Sequence, residues 1–65
     1  MEQEQTIHLI PSALAERWSV SVGHLANQRS AGTGPAYLKL GGRILYRLAD
    51  VEDYEARARV TGDAA

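Results

Sequence analysis

The spacing of apolar positions changes several times along the chain, and each change predicts a new element. The first regular segment follows Pro11, where Leu14, Ala15 and Trp18 fall on one helical face. Residues three or four apart lie on the same side of an α-helix, and proline favours the first helical position. The pattern therefore predicts a short helix that ends near Ser19.

A second helix is predicted from Val22 to about Ala31. Ser21 is a candidate N-cap, since its hydroxyl can accept a hydrogen bond from a free amide of the first turn. Gly32 suits the left-handed position that commonly ends a helix. A turn of about three residues would separate the two helices, which is the spacing of a helix-turn-helix.

Two short apolar runs on either side of Gly41-Gly42 predict a β-hairpin. A two-residue loop would pair Leu40 with Arg43, whereas a three-residue loop would pair Leu40 with Ile44. We predict the three-residue loop, because it gathers four large apolar side chains on one face: Leu38, Leu40, Ile44 and Tyr46. The opposite, exposed face would then carry Lys39, Leu45 and Arg47.

Helical spacing returns between Ala49 and Arg59. Acidic residues crowd the first turn and arginines lie in the last, as the helix dipole favours. Residues 1–7 and 60–65 are predicted to be disordered tails around one domain, residues 8–59. The predicted fold is mostly α with a small β-hairpin, in the order α-α-β-β-α of a winged helix-turn-helix.

Composition narrows the function of this domain. The 65 residues include ten alanines and no phenylalanine or cysteine, so a deep enclosed pocket is hard to build. The absence of cysteine excludes disulfides and thiolate zinc sites and favours the cytoplasm. The acidic, polar start is unlike a secretory signal, and no apolar run approaches the roughly 20 residues that span a bilayer. We therefore expect no membrane partner.

Residues that could support catalysis do not form a recognisable motif. His8 and His24 lack metal-binding spacing, the serines have no evident His and Asp partners, and the glycines fit no phosphate-binding loop. We expect no catalytic residue, no metal and no cofactor.

The charged residues are strongly segregated along the chain. Residues 1–16 carry three acids (−3), residues 17–49 carry five bases and no acid (+5), and residues 50–65 carry five acids and two bases (−3), which sums to −1. A basic block of this kind is typical of a phosphate-binding surface. The alternative is a solvated face whose charges pair with the acidic flanks.

The second helix can be turned by 100° per residue with Leu25 facing the core. Val22 and Arg29 then lie within about 60° of Leu25, while Gly23 and Asn27 point away from it. The outward face is small and polar, as a helix in a DNA major groove requires. An asparagine or glutamine can bind adenine through two hydrogen bonds, and a glycine permits close backbone approach. The candidate base contacts are Gly23, His24 and Asn27, together with Gln28, which lies nearer the core side and would have to swing outward.

Exposed positive charge and free polar groups supply the candidate phosphate contacts: Ser21, Arg29, Lys39, Gly42, Arg43 and Arg47. For all of these sites, an ordinary exposed polar residue is the alternative. Arg29 lies near the core side, so an ion pair with Asp50 or Glu16 is favoured at least as much as a phosphate contact. The aromatic side chains fall on apolar stripes and are predicted to be core residues: Trp18, Tyr37, Tyr46 and Tyr54.

Several segments together follow the pattern of a known family: residues 14–21 (Leu-Ala-Glu-Arg-Trp-Ser-Val-Ser), Leu25, Arg29, Gly32, residues 34–43 (Gly-Pro-Ala-Tyr-Leu-Lys-Leu-Gly-Gly-Arg), Tyr46-Arg47 and Asp50-Val51. Over about residues 8–58 the chain resembles the excisionase-type (MerR/AlpA-like) winged helix-turn-helix DNA-binding domains of phages and mobile elements. It departs from the family pattern at Ile10, Gln28 and Leu45, where a capping Ser or Thr, a Trp and an Arg are usual.

This resemblance implies a recognition helix in the major groove and a hairpin wing on the DNA backbone or minor groove. The expected function is sequence-specific DNA binding by an excisionase (recombination directionality factor) or small transcriptional regulator. Double-stranded DNA is the expected partner, at the nucleoid of a bacterial host. One helix reads little DNA, so dimeric or cooperative self-association on DNA is expected. An integrase is a candidate protein partner. The alternative is a protein-interaction module that docks a recombinase or packaging subunit, suggested by the acidic third helix and Leu45.

Overall fold

Three helices and a three-stranded antiparallel sheet make up the structure, a computed structural model that describes residues 7–60. The elements in chain order are β1 (His8–Leu9), α1 (Pro11–Trp18), α2 (Val22–Ala31), β2 (Leu38–Leu40), β3 (Arg43–Arg47) and α3 (Leu48–Ala58). All five predicted elements are present, and β1 is additional. The chain is therefore a mixed α/β structure.

The additional strand lies along the free edge of β3, so that the sheet order is β1-β3-β2. Leu9 pairs with Tyr46, and the carbonyl oxygen of Ile7 accepts a hydrogen bond from the Leu48 amide at 2.9 Å. Ile7, assigned to a tail by sequence, is thus bonded to the start of α3. A two-residue strand has no period to detect, because it depends on the edge offered by β3. The remainder of the predicted tails, residues 1–6 and 61–65, lies outside the described residues, and Val60 is exposed.

Local sequence signals set the ends of α1 and α2 as predicted. Pro11 opens α1, and Ser19 ends it in the left-handed region at φ 57°. The Ser21 hydroxyl caps α2 by accepting a hydrogen bond from the His24 amide at 3.0 Å, and Gly32 ends this helix at φ 77°. The three-residue turn between the helices is confirmed.

The core draws one or two apolar side chains from each long element. Its fully buried members are Leu14 and Ala15 of α1, Leu25 of α2, Tyr46 of β3 and Val51 of α3. Four half-buried side chains pack around them: Leu9, Trp18, Val20 and Ile44. Short chains bury a limited fraction of their surface, so each contact between elements supplies a large share of the stability of this fold.

The predicted hairpin register is wrong. Leu40 pairs with Arg43 and Leu38 pairs with Leu45, so the loop consists of two residues, Gly41 and Gly42. Both glycines have positive φ, 54° and 83°. This is the requirement of the tight two-residue turn whose twist matches that of paired strands. The turn geometry available to Gly-Gly therefore outweighs the apolar face that the longer loop would have produced.

The shorter loop redistributes the side chains between the two hairpin faces, because successive residues of a strand point to opposite sides. Ile44 and Tyr46 face the core, and Lys39 lies opposite Ile44 on that same face. The outer face carries the remaining strand residues: Leu38, Leu40, Arg43, Leu45 and Arg47. Leu45, expected to be exposed, is half-buried beside its partner Leu38, whereas Leu40 is 52% exposed.

A carboxylate of α3 joins α3 to the end of α1. Glu55 accepts hydrogen bonds from Arg17 Nε at 2.7 Å, Arg17 Nη2 at 2.8 Å and Trp18 Nε1 at 2.6 Å. The Trp18 ring also lies 5.6 Å from the ring of Tyr54 between centroids. These donors, Arg17 first and then Trp18, lower the pKa of Glu55 from 4.5 to about 2.

This lowered pKa predicts a pH-dependent contribution to stability. Because the folded-state pKa of Glu55 lies below its ordinary value of 4.5, the stabilisation is complete above that pH and is lost as the pH falls towards about 2. Thermal unfolding followed by circular dichroism should show this loss in the wild type. The Glu55→Gln variant should unfold at a lower temperature at neutral pH and show a flatter acid limb. Glu16→Gln, at an exposed glutamate of α1, is the matched control and should retain the wild-type profile.

The two-residue turn predicts that its glycines are needed for their backbone conformation alone. A Cβ at Gly42 would meet no atom within 4 Å, yet its φ is +83°. Gly42→Ala should therefore lower the free energy of unfolding by about 1–2 kcal/mol, measured by urea denaturation. Gly41→Asn should lower it less, because asparagine tolerates this conformation. Gly23→Ala, within α2, is the control and should not destabilise the chain. Full stability of Gly42→Ala would contradict the observed turn.

Candidate functional site

The exposed surface of α2 is small and polar, as the helical positions predicted. Gly23, His24 and Asn27 are exposed, while Leu25 is fully buried in the core. A Cβ at Gly23 would meet only the Ser21 hydroxyl, at 3.8 Å. The start of α2 can therefore be approached closely by another molecule.

Gln28 occupies a different position from the other predicted base contacts. Its side chain packs under the turn after α2, where a Cβ at Gly34 would lie 2.9 Å from Gln28 Oε1. The amide of Thr33 donates to the Gln28 carbonyl oxygen at 2.9 Å and brings this turn over the side chain. Gln28 Oε1 is buried and has no hydrogen-bond partner within residues 7–60. The Gln28 side chain therefore has to leave this position before it can contact a base.

Val22 also differs from its predicted orientation. The helical positions placed it towards the core, but its side chain is 47% exposed. Val20, two residues earlier, packs against the core instead. The turn between α1 and α2 directs Val20 inward, and this leaves the first residue of α2 at the surface.

Arg29 is held by tyrosines rather than by an acid. Its Nη1 donates to the Tyr46 hydroxyl at 2.6 Å. The guanidinium carbon also lies 5.7 Å from the centroid of the Tyr37 ring, within the range of a cation–π contact. Neither Asp50 nor Glu16 pairs with it: Asp50 binds Arg47 at 3.1 Å, and Glu16 forms no ion pair within residues 7–60. Residue spacing does not predict this arrangement, because it depends on how α2 and β3 pack against each other.

The same contacts correct the prediction for Tyr37. Its ring lies 6.2 Å from that of Tyr46 between centroids, but the side chain is 41% exposed and does not belong to the core. Tyr46 is fully buried, while Trp18 and Tyr54 are half-buried. Tyr37 thus presents an exposed aromatic surface next to Arg29.

Ion pairs neutralise only part of the basic block. Within residues 7–60 there are three pairs: Arg17–Glu55, Arg47–Asp50 and Arg57–Asp53. Three cations of the block are outside these described pairs: Arg29, Lys39 and Arg43. Within the described residues, acidic flanks therefore pair with the block at Arg17 and Arg47.

The predicted phosphate contacts divide into two groups. Lys39 lies on the same face of the hairpin as Tyr46, and Arg29 of α2 donates a hydrogen bond to the Tyr46 hydroxyl. Arg43 and Arg47 lie on the opposite, outer face, with Arg43 directly after the exposed Gly42. The remaining candidate, Ser21, is exposed but already caps α2. The exposed polar face of α2 carries Gly23, His24 and Asn27. Arg29 is half-buried and lies about 160° around the helix from Asn27, on the flank that meets Tyr46.

Within the described part of the chain, no helix is long and apolar enough to cross a bilayer. The chain matches no protein-family model, no curated protein and no solved structure.

The buried hydroxyl of Tyr46 predicts a specific cost for its removal. Tyr46→Phe should lower the free energy of unfolding by about 1–3 kcal/mol, because the half-buried Arg29 guanidinium loses its acceptor. Urea denaturation measures this difference. Tyr37→Phe is the matched control and should change stability by less than about 0.5 kcal/mol, as is usual at exposed positions. Equal effects of the two substitutions would show that the Arg29–Tyr46 hydrogen bond does not stabilise the fold.

Proposed function

We propose that this protein is a sequence-specific DNA-binding protein whose α2 enters the major groove. The observation that supports this most directly is the exposed polar face of α2, formed by Gly23, His24 and Asn27, in a domain whose described ion pairs leave cations of the basic block unneutralised. Phosphate binding requires accessible positive charge of this kind, and base reading requires a helix face without bulk. In this proposal the α1–α2 pair is the helix-turn-helix and the β2–β3 hairpin is the wing.

Base contacts are assigned to the exposed positions of α2. Asn27 can form two hydrogen bonds with an adenine edge, and His24 can donate to or accept from a base or phosphate. Gly23 permits close approach of the helix start. Gln28 would join them only after its side chain moves away from Gly34.

Phosphate contacts follow from the placement of the cations. Arg29 is positioned by Tyr46 and Tyr37 and retains further N–H groups for a phosphate. Lys39 on the inner face of the wing and Arg43 on its outer face add positive charge on both sides of the wing, with the Gly42 amide near its tip. Arg47 would have to share its charge with Asp50, and Ser21 would contact DNA at the capped end of α2.

The biological role is proposed from the family resemblance of the sequence. An excisionase-type winged helix-turn-helix protein would act in recombination or in transcription control of a phage or mobile element, at the nucleoid in the bacterial cytoplasm. A single α2 covers few base pairs, so we propose dimeric or cooperative binding along repeated sites. An integrase is the candidate protein partner for an excision role.

The proposal is tested by selecting a duplex from a random DNA library and measuring its affinity at several salt concentrations. Binding should weaken steeply with salt, and Lys39→Ala or Arg43→Ala should each reduce the slope of log K against log salt by about 1. Asn27→Ala should cost about 1–3 kcal/mol of discrimination at one base position. Arg57→Ala, a cation of α3 in an ion pair with Asp53, is the charge-matched control and should leave the slope unchanged.

Two results would refute DNA binding as the function. One is an affinity that does not change with salt, and the other is an affinity unaffected by the combined Asn27→Ala and Arg43→Ala substitutions. Circular dichroism of each variant separates a loss of contact from a loss of folding.

A second function, docking of a recombinase or packaging subunit, is favoured by one feature of the hairpin. Its outer face carries Leu38, Leu40 and Leu45, which do not pack against the core formed within residues 7–60. The same salt series distinguishes the two functions, because burial of apolar surface depends weakly on salt. Loss of protein binding on Leu40→Ser, with DNA affinity retained, would support docking.

A further inference from the structure

Val22 is an exposed apolar residue at the start of α2. It is the first residue of the helix and 47% of its side chain is exposed. The other exposed positions of α2 carry small or polar side chains: Gly23, His24, Asn27, Ser30 and Ala31. Val22 is therefore the one large apolar side chain on the described surface of this helix.

The fold gives no account of a valine at this position. The apolar contact that fixes the entry to a helix joins the residue before the N-cap to the fourth helical residue. Here those residues are Val20 and Leu25, and both pack in or against the core. Val22 lies outside this cluster, and a β-branched residue forms a helix less readily than alanine.

Val22 lies at the start of α2, about 140° around the helix from Asn27, so the two side chains can contact different parts of one groove. Five residues separate them, which is about 7.5 Å along the helix axis. That distance corresponds to roughly two base-pair steps. Ala26, one turn after Val22, lies on the same flank of the helix and keeps that side free of bulk.

We propose that Val22 determines specificity by contacting the C5 methyl group of a pyrimidine in the major groove. This inference rests on the proposed DNA-binding function and extends it to one chemical group. Among the four unmodified bases, only thymine presents such an apolar group on the major-groove edge. 5-Methylcytosine carries the same methyl group, so either base can supply the ligand.

The test uses the duplex selected from the random library and replaces each thymine in turn by deoxyuridine, which removes only the methyl group. Affinity is measured by fluorescence anisotropy for the wild type, Val22→Ala and the matched control Val60→Ala. Val60 is 89% exposed and lies after α3. At one position the wild type and Val60→Ala should bind the deoxyuridine duplex about fourfold more weakly, as expected for one methyl-sized contact.

Val22→Ala should bind the thymine and deoxyuridine duplexes with the same affinity at that position. A further pair of duplexes with cytosine or 5-methylcytosine there distinguishes the sources of the methyl group. Restoration of affinity by 5-methylcytosine assigns the contact to the methyl group in either base, whereas its failure assigns the contact to thymine alone.

Three outcomes would overturn the inference while leaving DNA binding intact. They are a selected site without thymine, wild-type affinity unaffected by every deoxyuridine, and equal deoxyuridine effects in the wild type and Val22→Ala. A protein that shows no salt-dependent DNA affinity refutes the proposed function and this inference together. Thermal unfolding of Val22→Ala should match the wild type within a few degrees, which excludes misfolding as the cause.

Discussion

The buried hydroxyl of Tyr46 is the constraint on which the arrangement of this small structure depends. Tyr46 is 1% exposed, so its hydroxyl needs a partner inside the protein. Arg29 of α2 supplies that partner at 2.6 Å, while the backbone of Tyr46 lies between β1 and β2 in the sheet. One residue thereby joins the core, the sheet and α2, and it sets where the hairpin lies relative to the helix.

The same contact explains how a positive charge can be held close to a small core. A guanidinium buried without compensation would destabilise the fold. Arg29 instead bonds to a neutral hydroxyl and lies against the Tyr37 ring, so that its charge is retained next to α2. At the other end of the basic block, Arg17 is neutralised by Glu55. The net charge of −1 thus conceals a division between cations used for folding and cations available to a ligand.

The hairpin shows where reasoning from apolar patterns fails. The pattern favoured a register that gathers four apolar residues on one face, but the Gly41-Gly42 turn selects another. The observed register places Lys39 on the same face of the hairpin as Tyr46 and Arg43 on the outer face. It also leaves Leu40 half in solvent. A turn whose backbone does not match the twist of the strands destabilises the hairpin directly. An exposed leucine, in contrast, is common on protein surfaces.

By itself, the sequence determined the features that depend on neighbours along the chain. Pro11 marks the start of α1, while Ser21 and Gly32 mark the ends of α2 by bonding to groups three or four residues away. The segregation of charge is likewise a property of the sequence alone. Only the tertiary structure decided the strand β1, the acceptor for Arg29, the exposure of Val22 and the inward position of Gln28. These features depend on contacts between different elements, such as the 17 positions that separate Arg29 from Tyr46. Spacing along the chain carries no record of such contacts, because they form only when the elements pack.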